Sequence, residues 1–312
     1  MITLFFAAGD DNWNQYEGPL ILALEKAKIS ATILTKSPTN PETVDYIIYA
    51  PVAGALTDFT PYRNVRAVLS LWAGVEKLVP NKTLRQPLCR MVDPGLTEGM
   101  VEYVAGHVLR QHLGIDRYII NPNHDWVQKC PPLARERSVG IMGLGTLGTA
   151  VTTALRALNF NLSAWGRSPK PDLEMPYFHG ADGLEALLSR SEILVTLLPD
   201  TPDTRGLLNA QTIAYLPYGA ALINPGRGTL IDDVALLAAL DQGALSHATL
   251  DVFHQEPLPK THRFWQHPKV TVTPHIAADT RPLTSSRVVV ENIRRDQAGL
   301  ALLHQVDLAR GY

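Results

Sequence analysis

Three glycines at regular spacing, Gly143, Gly145 and Gly148, follow a short apolar run at 139–142. Residues 150–158 then repeat apolar positions at helical spacing, so the pattern predicts a strand, a tight turn and a helix. In a dinucleotide-binding fold the first glycine makes the turn, the second lets the backbone approach a pyrophosphate, and the third allows close helix–strand packing. A purely structural turn is the alternative. We expect dinucleotide contacts at Gly143, Gly145, Thr146, Leu147 and Gly148.

Beyond this loop, β-type runs alternate with helical stretches such as 183–188 and 233–240. The runs lie at 162–165, 193–198, 220–224, 248–252 and 270–273. This alternation predicts a doubly wound parallel sheet, in which ligands bind beyond the carboxyl ends of the strands. The residues at or just after the strand ends are Gly143, Arg167, Pro199, Arg227, Asp251 and His275. An arginine, a carboxylate and a histidine are therefore expected to converge on one edge of the sheet.

The end of the second strand of such a fold indicates which cofactor binds. An NAD-preferring fold usually has Asp or Glu there, because the carboxylate accepts hydrogen bonds from the adenosine ribose. Here the strand ends at Arg167 and Ser168, with Lys170 close behind and no acid in place. A guanidinium and a hydroxyl suit a 2′-phosphate, since Arg forms charge-assisted bidentate bonds with phosphate oxygens. The sequence predicts NADPH in preference to NADH, the alternative being that Arg167 only caps a surface turn.

The N-terminal part of the chain has the alternation of a second, smaller α/β domain. Its β-type runs lie at 2–7, 31–35, 45–49 and 65–71, with a helix expected around 19–28. Apolar positions at helical spacing over 100–109 predict a helix suited to connecting domains. A helical stretch at 284–303 and a tail at 306–312 are expected to return to the first domain. We predict a substrate domain formed by 1–97 and 285–312, with a dinucleotide-binding domain, 98–284, inserted into it.

Composition limits the partners. At 312 residues the chain exceeds the usual size of one domain, and 46% hydrophobic residues are enough to build a core. A net charge of -2 gives no reason to expect nucleic acid or an anionic membrane as a partner, so the expected ligand is a small molecule. Cys89 and Cys130 lie far apart without metal-ligand spacing, so neither a disulfide framework nor a metal is expected. With no signal peptide and no apolar run of membrane-spanning length, we expect a cytoplasmic protein.

Five motifs together resemble the D-isomer-specific 2-hydroxyacid dehydrogenase family in order and spacing. They are the glycine loop at 143–148, Leu-Pro-x-Thr-x-x-Thr at 198–204, Asn-Pro-Gly-Arg-Gly at 224–228, the stretch 250–257, and Thr-Pro-His at 273–275. Within the family, the stretch 274–282 and the C-terminal residues 307–312 are similar to the bacterial glyoxylate/hydroxypyruvate reductase A branch. The resemblance covers nearly the whole chain. It implies an α/β fold of two doubly wound parallel-sheet domains, a Rossmann-like coenzyme domain inserted into a smaller flavodoxin-like substrate domain.

The residue types also suit the family's chemistry. Reducing a 2-oxo acid requires a hydride donor, a proton donor for the carbonyl oxygen, and a cation that holds the carboxylate and polarises the carbonyl. His275 fits the proton donor, Arg227 the cation, and Glu256 the carboxylate that orients His275 and favours its charged form. We therefore expect these three residues to be catalytic, although each alone could have a structural role.

The resemblance implies further roles. Asp251 would hydrogen-bond the nicotinamide carboxamide, and the nicotinamide half of the cofactor would be lined by Leu198, Pro199, Thr204, Pro225, Gly226 and Ala277. In the first domain the N–H groups of Ala73 and Gly74 would hold the substrate carboxylate. Trp72 and Tyr49 would crowd the pocket and favour small substrates, although a core position for Tyr49 is equally compatible with the sequence. The family also implies a homodimer formed through the coenzyme domain.

The sequence thus predicts NADPH-dependent reduction of small 2-oxo acids, glyoxylate to glycolate and hydroxypyruvate to D-glycerate. Three alternatives stay open. One is a D-2-hydroxyacid dehydrogenase of broader specificity, and another is a non-catalytic cofactor-sensing protein of the same family. The third, an S-adenosylmethionine enzyme, leaves Arg227, Glu256 and His275 unexplained.

Overall fold

The computed structural model describes residues 1–170 and 173–308. Residues 309–312, which end the C-terminal motif and the predicted tail, lie outside the described residues. The chain divides into two compact units, one formed by Met1–Leu96 with Asp279–Tyr312 and the other by Thr97–Ala278. Residues 279–284, which the sequence analysis assigned to the inserted domain, group with the first unit. Their chain continues into a helix whose Ser285 hydroxyl bonds to the Tyr16 hydroxyl of that unit.

Strands and helices are numbered in chain order. The strands are β1 Ile2–Ala7, β2 Ala31–Leu34, β3 Tyr46–Tyr49, β4 Ala67–Ser70, β5 Leu88–Cys89, β6 Ser138–Met142, β7 Asn161–Gly166, β8 Tyr177–His179, β9 Ile193–Thr196, β10 Ala220–Asn224, β11 Leu245–Leu250 and β12 Val270–Val272. The α-helices are α1 Asp10–Lys26, α2 Pro94–Leu113, α3 Asp116–Ile119, α4 Thr146–Ala157, α5 Gly180–Leu188, α6 Ala210–Ile213, α7 Asp233–Asp241 and α8 Pro282–Gln297.

The first unit is built on a parallel sheet of order β2-β1-β3-β4-β5, the flavodoxin-like arrangement. Both faces of β3 and β4 are buried, as is usual for a sheet covered by helices on each side. Helices α1 and α8 pack on one face, where Leu20 and Ile293 share a core with Leu4 of β1. After α8 the chain pairs with β5, since the Val306 N–H donates to the carbonyl of Leu88.

The second unit contains a parallel sheet of order β12-β11-β10-β9-β6-β7-β8. Counted from β6, this is the Rossmann order 3-2-1-4-5-6 with one more strand, β12, at the edge. The strand order reverses between β6 and β9, and ligands bind at such a reversal, outside the carboxyl ends of the strands. Apolar residues of α4 and α2, Leu155 and Val104, pack against Ile141 of β6 on one face. The architecture predicted from the sequence, two doubly wound parallel sheets, is confirmed.

The element boundaries differ from the predictions where the sequence pattern is weak. Helix α1 begins at Asp10, well before the expected start, because two acidic residues occupy its first turn and Pro19 is accommodated inside it. Helix α8 ends at Gln297, and Gly299, with φ of 68°, turns the chain away. Strands β5 and β8 were not predicted, since two or three residues are too few to show a periodicity. No helix in the described part of the chain has the length and apolar character that crossing a bilayer requires.

Candidate active site

The glycine loop between β6 and α4 has the backbone geometry that its three glycines predict. Gly143 has φ of 100°, and a Cβ atom there would lie 2.6 Å from the Leu197 carbonyl oxygen. A Cβ at Gly148 would lie 1.9 Å from the Gly143 carbonyl oxygen, so a side chain at either position is sterically excluded. A Cβ at Gly145, by contrast, would meet no atom within 4 Å. The first and third glycines therefore permit packing, and the second leaves open space at the start of the helix.

That open space lies at the N-terminus of α4. Gly145 is the N-cap residue, no side chain caps the helix, and Gly145 and Thr146 are exposed. The first N–H groups of a helix have no partner within it and carry partial positive charge, which suits a phosphate group. Leu147 is half-buried and faces the core beside β6. The loop therefore fits the pyrophosphate of a dinucleotide. The expected contacts come from backbone N–H groups and not from side chains.

The end of β7 presents cationic and hydroxyl groups. Arg167 and Ser168 are exposed directly after the strand, and an Arg167 guanidinium nitrogen lies 3.9 Å from a carboxylate oxygen of Asp203. The Lys170 ammonium donates a hydrogen bond to the carbonyl of Leu144 inside the glycine loop. Two positive charges thus lie within reach of the position where an adenosine ribose is bound in this fold.

The loop after β10 carries Arg227, and Asn224 determines its shape. The Asn224 side chain is completely buried and accepts from the Thr196 hydroxyl at 2.6 Å and the Gly226 N–H at 3.1 Å. Its amide nitrogen donates to the Arg227 carbonyl at 3.0 Å. Asn224 belongs to the Asn-Pro-Gly-Arg-Gly motif, but no role was predicted for it. An Asn at the end of an apolar run, followed by Pro-Gly-Arg, is the sequence pattern that could have identified it, because Asn side chains commonly hydrogen-bond the backbone of a following turn.

The Arg227 loop and the loop after β11 are in direct contact. A Cβ at Gly228 would lie 2.1 Å from the carbonyl carbon of Phe253, so only glycine allows this approach. The contact brings the residue after Arg227 against the segment that continues to Glu256. The Arg227 guanidinium also donates to its neighbour, the Gly226 carbonyl, at 2.7 Å.

Glu256 and His275 form a hydrogen-bonded pair. The His275 Nδ1 lies 2.7 Å from Oε2 of Glu256, and the other carboxylate oxygen accepts from the Phe253 N–H at 2.9 Å. A carboxylate can only accept hydrogen bonds, so Nδ1 carries the proton in this pair and Nε2 is left for a ligand. The imidazole is about half exposed, so a small molecule in solution can reach it.

The surroundings of this pair raise the pKa of His275 and lower the pKa of Glu256, and both shifts favour the charged forms. The hydrogen bond to Glu256 raises the pKa of His275 above 6.5, outweighing partial burial and the nearby Arg227 charge. Burial works to raise the pKa of Glu256, but the hydrogen bonds from His275 and Phe253 outweigh it and lower the pKa below its usual range. The pair is therefore stabilised as imidazolium and carboxylate.

Asp251, predicted to contact a cofactor, has a carboxylate that is hydrogen-bonded within the protein. Its side chain is 0% exposed, and its carboxylate accepts from the Thr273 hydroxyl and from the N–H groups of Ile276 and Ala277. These bonds hold the loop that contains His275. Thr273 belongs to the Thr-Pro-His motif, but its role was not predicted, because a hydroxyl at the end of a strand does not by itself indicate a hydrogen-bond partner.

The remaining predicted residues of this unit line the same edge or support it. Leu198, Pro225, Gly226 and Ala277 are buried, and Pro199 is half-buried. The Thr204 hydroxyl is also buried and donates to the Pro199 carbonyl at 2.6 Å, which fixes the loop after β9. Thr204 thus has a structural hydrogen bond in addition to its predicted position.

The predicted substrate residues lie in the first unit, at the ends of β3 and β4. Tyr49 is 5% exposed and packs against Phe59 in the core, with its pKa raised by burial. Trp72 is 41% exposed and directly precedes the half-buried Ala73 and Gly74. Within the described part of the chain, the N–H groups of Ala73 and Gly74 have no hydrogen-bond acceptor. They are therefore available to an anion, whereas Tyr49 belongs to the core.

Comparison with known proteins identifies the family. Residues 106–277 match the model of the D-isomer specific 2-hydroxyacid dehydrogenase, NAD binding domain. A D-isomer specific 2-hydroxyacid dehydrogenase from Xanthobacter autotrophicus Py2, solved with NADPH and MES, is 38% identical, with 99% of each chain covered and a TM-score of 0.91. The chain belongs to the D-isomer-specific 2-hydroxyacid dehydrogenase family. The enzyme is thus an NAD(P)-dependent oxidoreductase, as predicted from its motifs.

Two further members of the family show the same likeness over their full length. The NADPH-dependent glyoxylate/hydroxypyruvate reductase of Sinorhizobium meliloti, solved with NADP and sulfate, is 33% identical, with 100% of each chain covered and a TM-score of 0.87. A probable 2-hydroxyacid dehydrogenase from Rhizobium etli CFN 42, solved with NADP, HEPES and L(+)-tartaric acid, is 28% identical. The alignment with the Rhizobium protein covers 100% of the chain described here and 99% of the Rhizobium chain, with a TM-score of 0.87.

Two glycine substitutions should separate packing from ligand binding in the glycine loop. Gly148→Ala is expected to lower stability by about 1 to 3 kcal/mol, since its methyl group overlaps the Gly143 carbonyl. Gly145→Ala is expected to keep the wild-type Tm but to weaken dinucleotide binding, because its methyl group enters the open space. Thermal melts and a fluorescence titration with NADPH measure the two effects. A Gly145→Ala variant that binds like the wild type would contradict this assignment.

Proposed function

We propose that this dehydrogenase reduces small 2-oxo acids, glyoxylate to glycolate and hydroxypyruvate to D-glycerate, with NADPH as the cofactor. The observation that carries the proposal is the His275–Glu256 pair, 2.7 Å apart, at the sheet edge to which the Arg227 loop also belongs. A histidine held protonated by a carboxylate, with a guanidinium nearby, is the set of groups that carbonyl reduction of an anionic substrate requires.

Each of the three residues has a distinct role in this proposal. Arg227 binds the substrate carboxylate and polarises the carbonyl, since a guanidinium forms bidentate charge-assisted bonds with such oxygens. His275 donates the proton on Nε2 to the carbonyl oxygen as negative charge develops there. Glu256 holds Nδ1, which orients the imidazole and keeps it charged until the proton is transferred.

The proposed cofactor is NADPH, which supplies a hydride to the carbonyl carbon when bound. Gly143, Gly145, Thr146, Leu147 and Gly148 would hold its pyrophosphate, and Arg167 and Ser168 its 2′-phosphate. Lys170, tied to the glycine loop, adds a second cation there. The NADPH and NADP in the structures of the Xanthobacter, Sinorhizobium and Rhizobium proteins support this choice. The nicotinamide half is assigned to Leu198, Pro199, Thr204, Pro225, Gly226, Asp251 and Ala277.

The proposed preference for small substrates depends on the first unit. The free N–H groups of Ala73 and Gly74 are assigned to the substrate carboxylate, and the exposed ring of Trp72 to limiting substrate size. Tyr49 is not part of this limit, because its ring packs in the core. The activity in the name of the Sinorhizobium reductase supports glyoxylate and hydroxypyruvate as the substrates.

We further propose a homodimer formed through the coenzyme unit, working in the cytoplasm. Exposed apolar side chains are concentrated on α3 and the segment up to 133, where Trp126 is 96% exposed. They are Tyr118, Ile119, Ile120, Trp126, Val127 and Leu133. Large apolar side chains that cluster on a surface indicate a protein interface more often than a solvated face.

A substrate panel tests the proposed activity. We expect NADPH oxidation with glyoxylate and hydroxypyruvate at kcat/KM values well above that with phenylpyruvate, and a lower kcat/KM with NADH. Arg167→Ala should reduce kcat/KM with NADPH and leave that with NADH nearly unchanged, because only NADPH carries the 2′-phosphate. A preference for phenylpyruvate would instead indicate an enzyme of broader specificity. No turnover of any 2-oxo acid, with NADPH still bound, would indicate a cofactor-sensing protein.

The pH dependence of reduction tests the catalytic pair. Because Glu256 raises the pKa of His275 above 6.5, kcat/KM for reduction should stay high up to that raised pKa and fall as the pH passes through it. Glu256→Gln removes the charge, so the fall should move to lower pH, toward the ordinary histidine pKa. His275→Gln should lose about 100-fold or more in kcat while still binding NADPH. An unchanged pH profile in Glu256→Gln would refute the pairing.

Sedimentation velocity tests the dimer. Ile120→Glu is expected to shift the wild-type dimer to a monomer, because the charge would be buried in the interface. Ile21→Glu is the matched control, since Ile21 is also an exposed isoleucine but lies on α1 of the first unit. A monomeric wild-type protein, or equal dissociation by both variants, would exclude this interface.

A further inference from the structure

A chain of hydrogen bonds connects helix α2 to the loop that contains His275. The Tyr103 hydroxyl lies 2.7 Å from the Thr273 hydroxyl, which lies 2.6 Å from Oδ1 of Asp251. A carboxylate only accepts, so Thr273 must give its single proton to Asp251. Tyr103 is then the donor to Thr273. Burial raises the pKa of Tyr103 to about 12, so its phenol keeps the proton that this direction requires.

The far end of this chain controls the backbone around His275. Asp251 is completely buried, and besides Thr273 it accepts from the N–H groups of Ile276 and Ala277, at 2.9 and 2.8 Å. His275 itself has φ of 56°, a left-handed conformation that is unfavourable for a residue other than glycine. Such a conformation persists only where its surroundings impose it. Here the two N–H groups that follow His275 are bound to a single carboxylate, which imposes the turn.

The near end of the chain is held by α2. Arg110 lies seven residues after Tyr103, two helical turns on, and so on the same face of the helix. Its guanidinium donates to the Thr271 hydroxyl at 2.9 Å and to Asp116 at 2.7 Å. The Tyr103 ring also packs on His107, with centroids 4.5 Å apart. Helix α2 is thus bonded to the β12 segment at two hydroxyls on the same side, Thr271 and Thr273.

We propose that Tyr103 and Thr273 are positioning residues for His275, and that their hydroxyls hold Asp251 in the orientation that imposes the left-handed turn. The inference rests on the proposed role of His275 as the proton donor. Neither hydroxyl contacts the imidazole. Their loss lets the Asp251 carboxylate rotate, which loosens the turn and reduces the fraction of time that Nδ1 spends on Glu256.

Loosening of the turn is expected to change the pKa of His275, because neighbouring charges determine that pKa. The charged groups that act on His275 are Glu256, which is bonded to it, and Arg227 and Asp251, which act through space. Glu256 makes the largest contribution, and it raises the pKa of His275. When the pair opens, the pKa of His275 therefore falls toward its ordinary value. A merely structural role of the hydroxyls, in packing α2 on the sheet, would lower stability without moving this pKa.

The test uses substitutions that remove one hydroxyl and keep the shape. Thr273→Val and Tyr103→Phe remove the two donors, and Thr273→Ser restores one. Tyr215→Phe is the matched control, since Tyr215 is a half-buried tyrosine of the same unit whose hydroxyl bonds only to the Gln211 amide in the described structure. The imidazole of His275 is titrated by NMR in histidine-labelled protein without cofactor. The spectrum of His275→Gln identifies its signal among the 10 histidines.

We expect the His275 titration to move to lower pH in Thr273→Val and Tyr103→Phe, and to stay at the wild-type position in Thr273→Ser and Tyr215→Phe. In steady-state assays with saturating NADPH and with glyoxylate, the first two variants should lose about tenfold in kcat, a part of what general acid catalysis contributes, with KM for glyoxylate nearly unchanged. The proposal is overturned if both variants titrate like the wild type, or if Thr273→Ser titrates like Thr273→Val.

The two measurements also separate this inference from the proposed function. A wild-type enzyme that reduces no 2-oxo acid would remove the proton-donor role of His275. The imidazole titration would still show whether Tyr103 and Thr273 hold the Glu256–His275 pair, because it requires neither substrate nor turnover.

Discussion

A buried carboxylate without partners is among the most costly groups a protein can contain, and the sheet edge of this dehydrogenase is arranged around one. Asp251 directly follows the buried end of β11 and is itself completely buried. Its carboxylate is stabilised by hydrogen bonds from three donors in the segment after β12. Since those donors come from Thr273, Ile276 and Ala277, satisfying Asp251 also determines the path of the chain through His275.

The neighbouring strand also ends in a buried polar side chain that hydrogen-bonds a loop, in this case an amide. Asn224, at the end of β10, is also completely buried and holds the backbone on both sides of Arg227. Gly228 then allows the two strand-end loops to touch at Phe253. Two buried polar side chains and one glycine therefore bring three segments distant in sequence to one place. These buried contacts position the two groups that face solvent there, Glu256 and His275.

The electrostatics of this edge follow from the same division between buried and exposed groups. The fully buried Asp251 has its hydrogen bonds satisfied by backbone and hydroxyl donors, so it stays fixed. Glu256 is more exposed, and among the described residues it is hydrogen-bonded to the Phe253 N–H and to the His275 imidazole, so protonation of His275 changes the electrostatic environment of its carboxylate directly. The site thus combines a rigid buried acid that sets geometry with an accessible acid that sets charge, as in other enzymes with two carboxylates in different environments.

The sequence by itself determined the fold class, the family, the glycine loop and the identity of the polar residues at the strand ends. These are local features, because strand periodicity, a glycine turn and the residue that follows a strand are each visible within about ten residues. The tertiary structure alone decided that Tyr49 belongs to the core, that Gly228 packs on Phe253, and that Tyr103 reaches Thr273 from a helix 170 positions away. Such contacts depend on how elements distant along the chain pack against each other. No local pattern encodes them, so only the folded chain shows that Asp251 is built into the loop of His275.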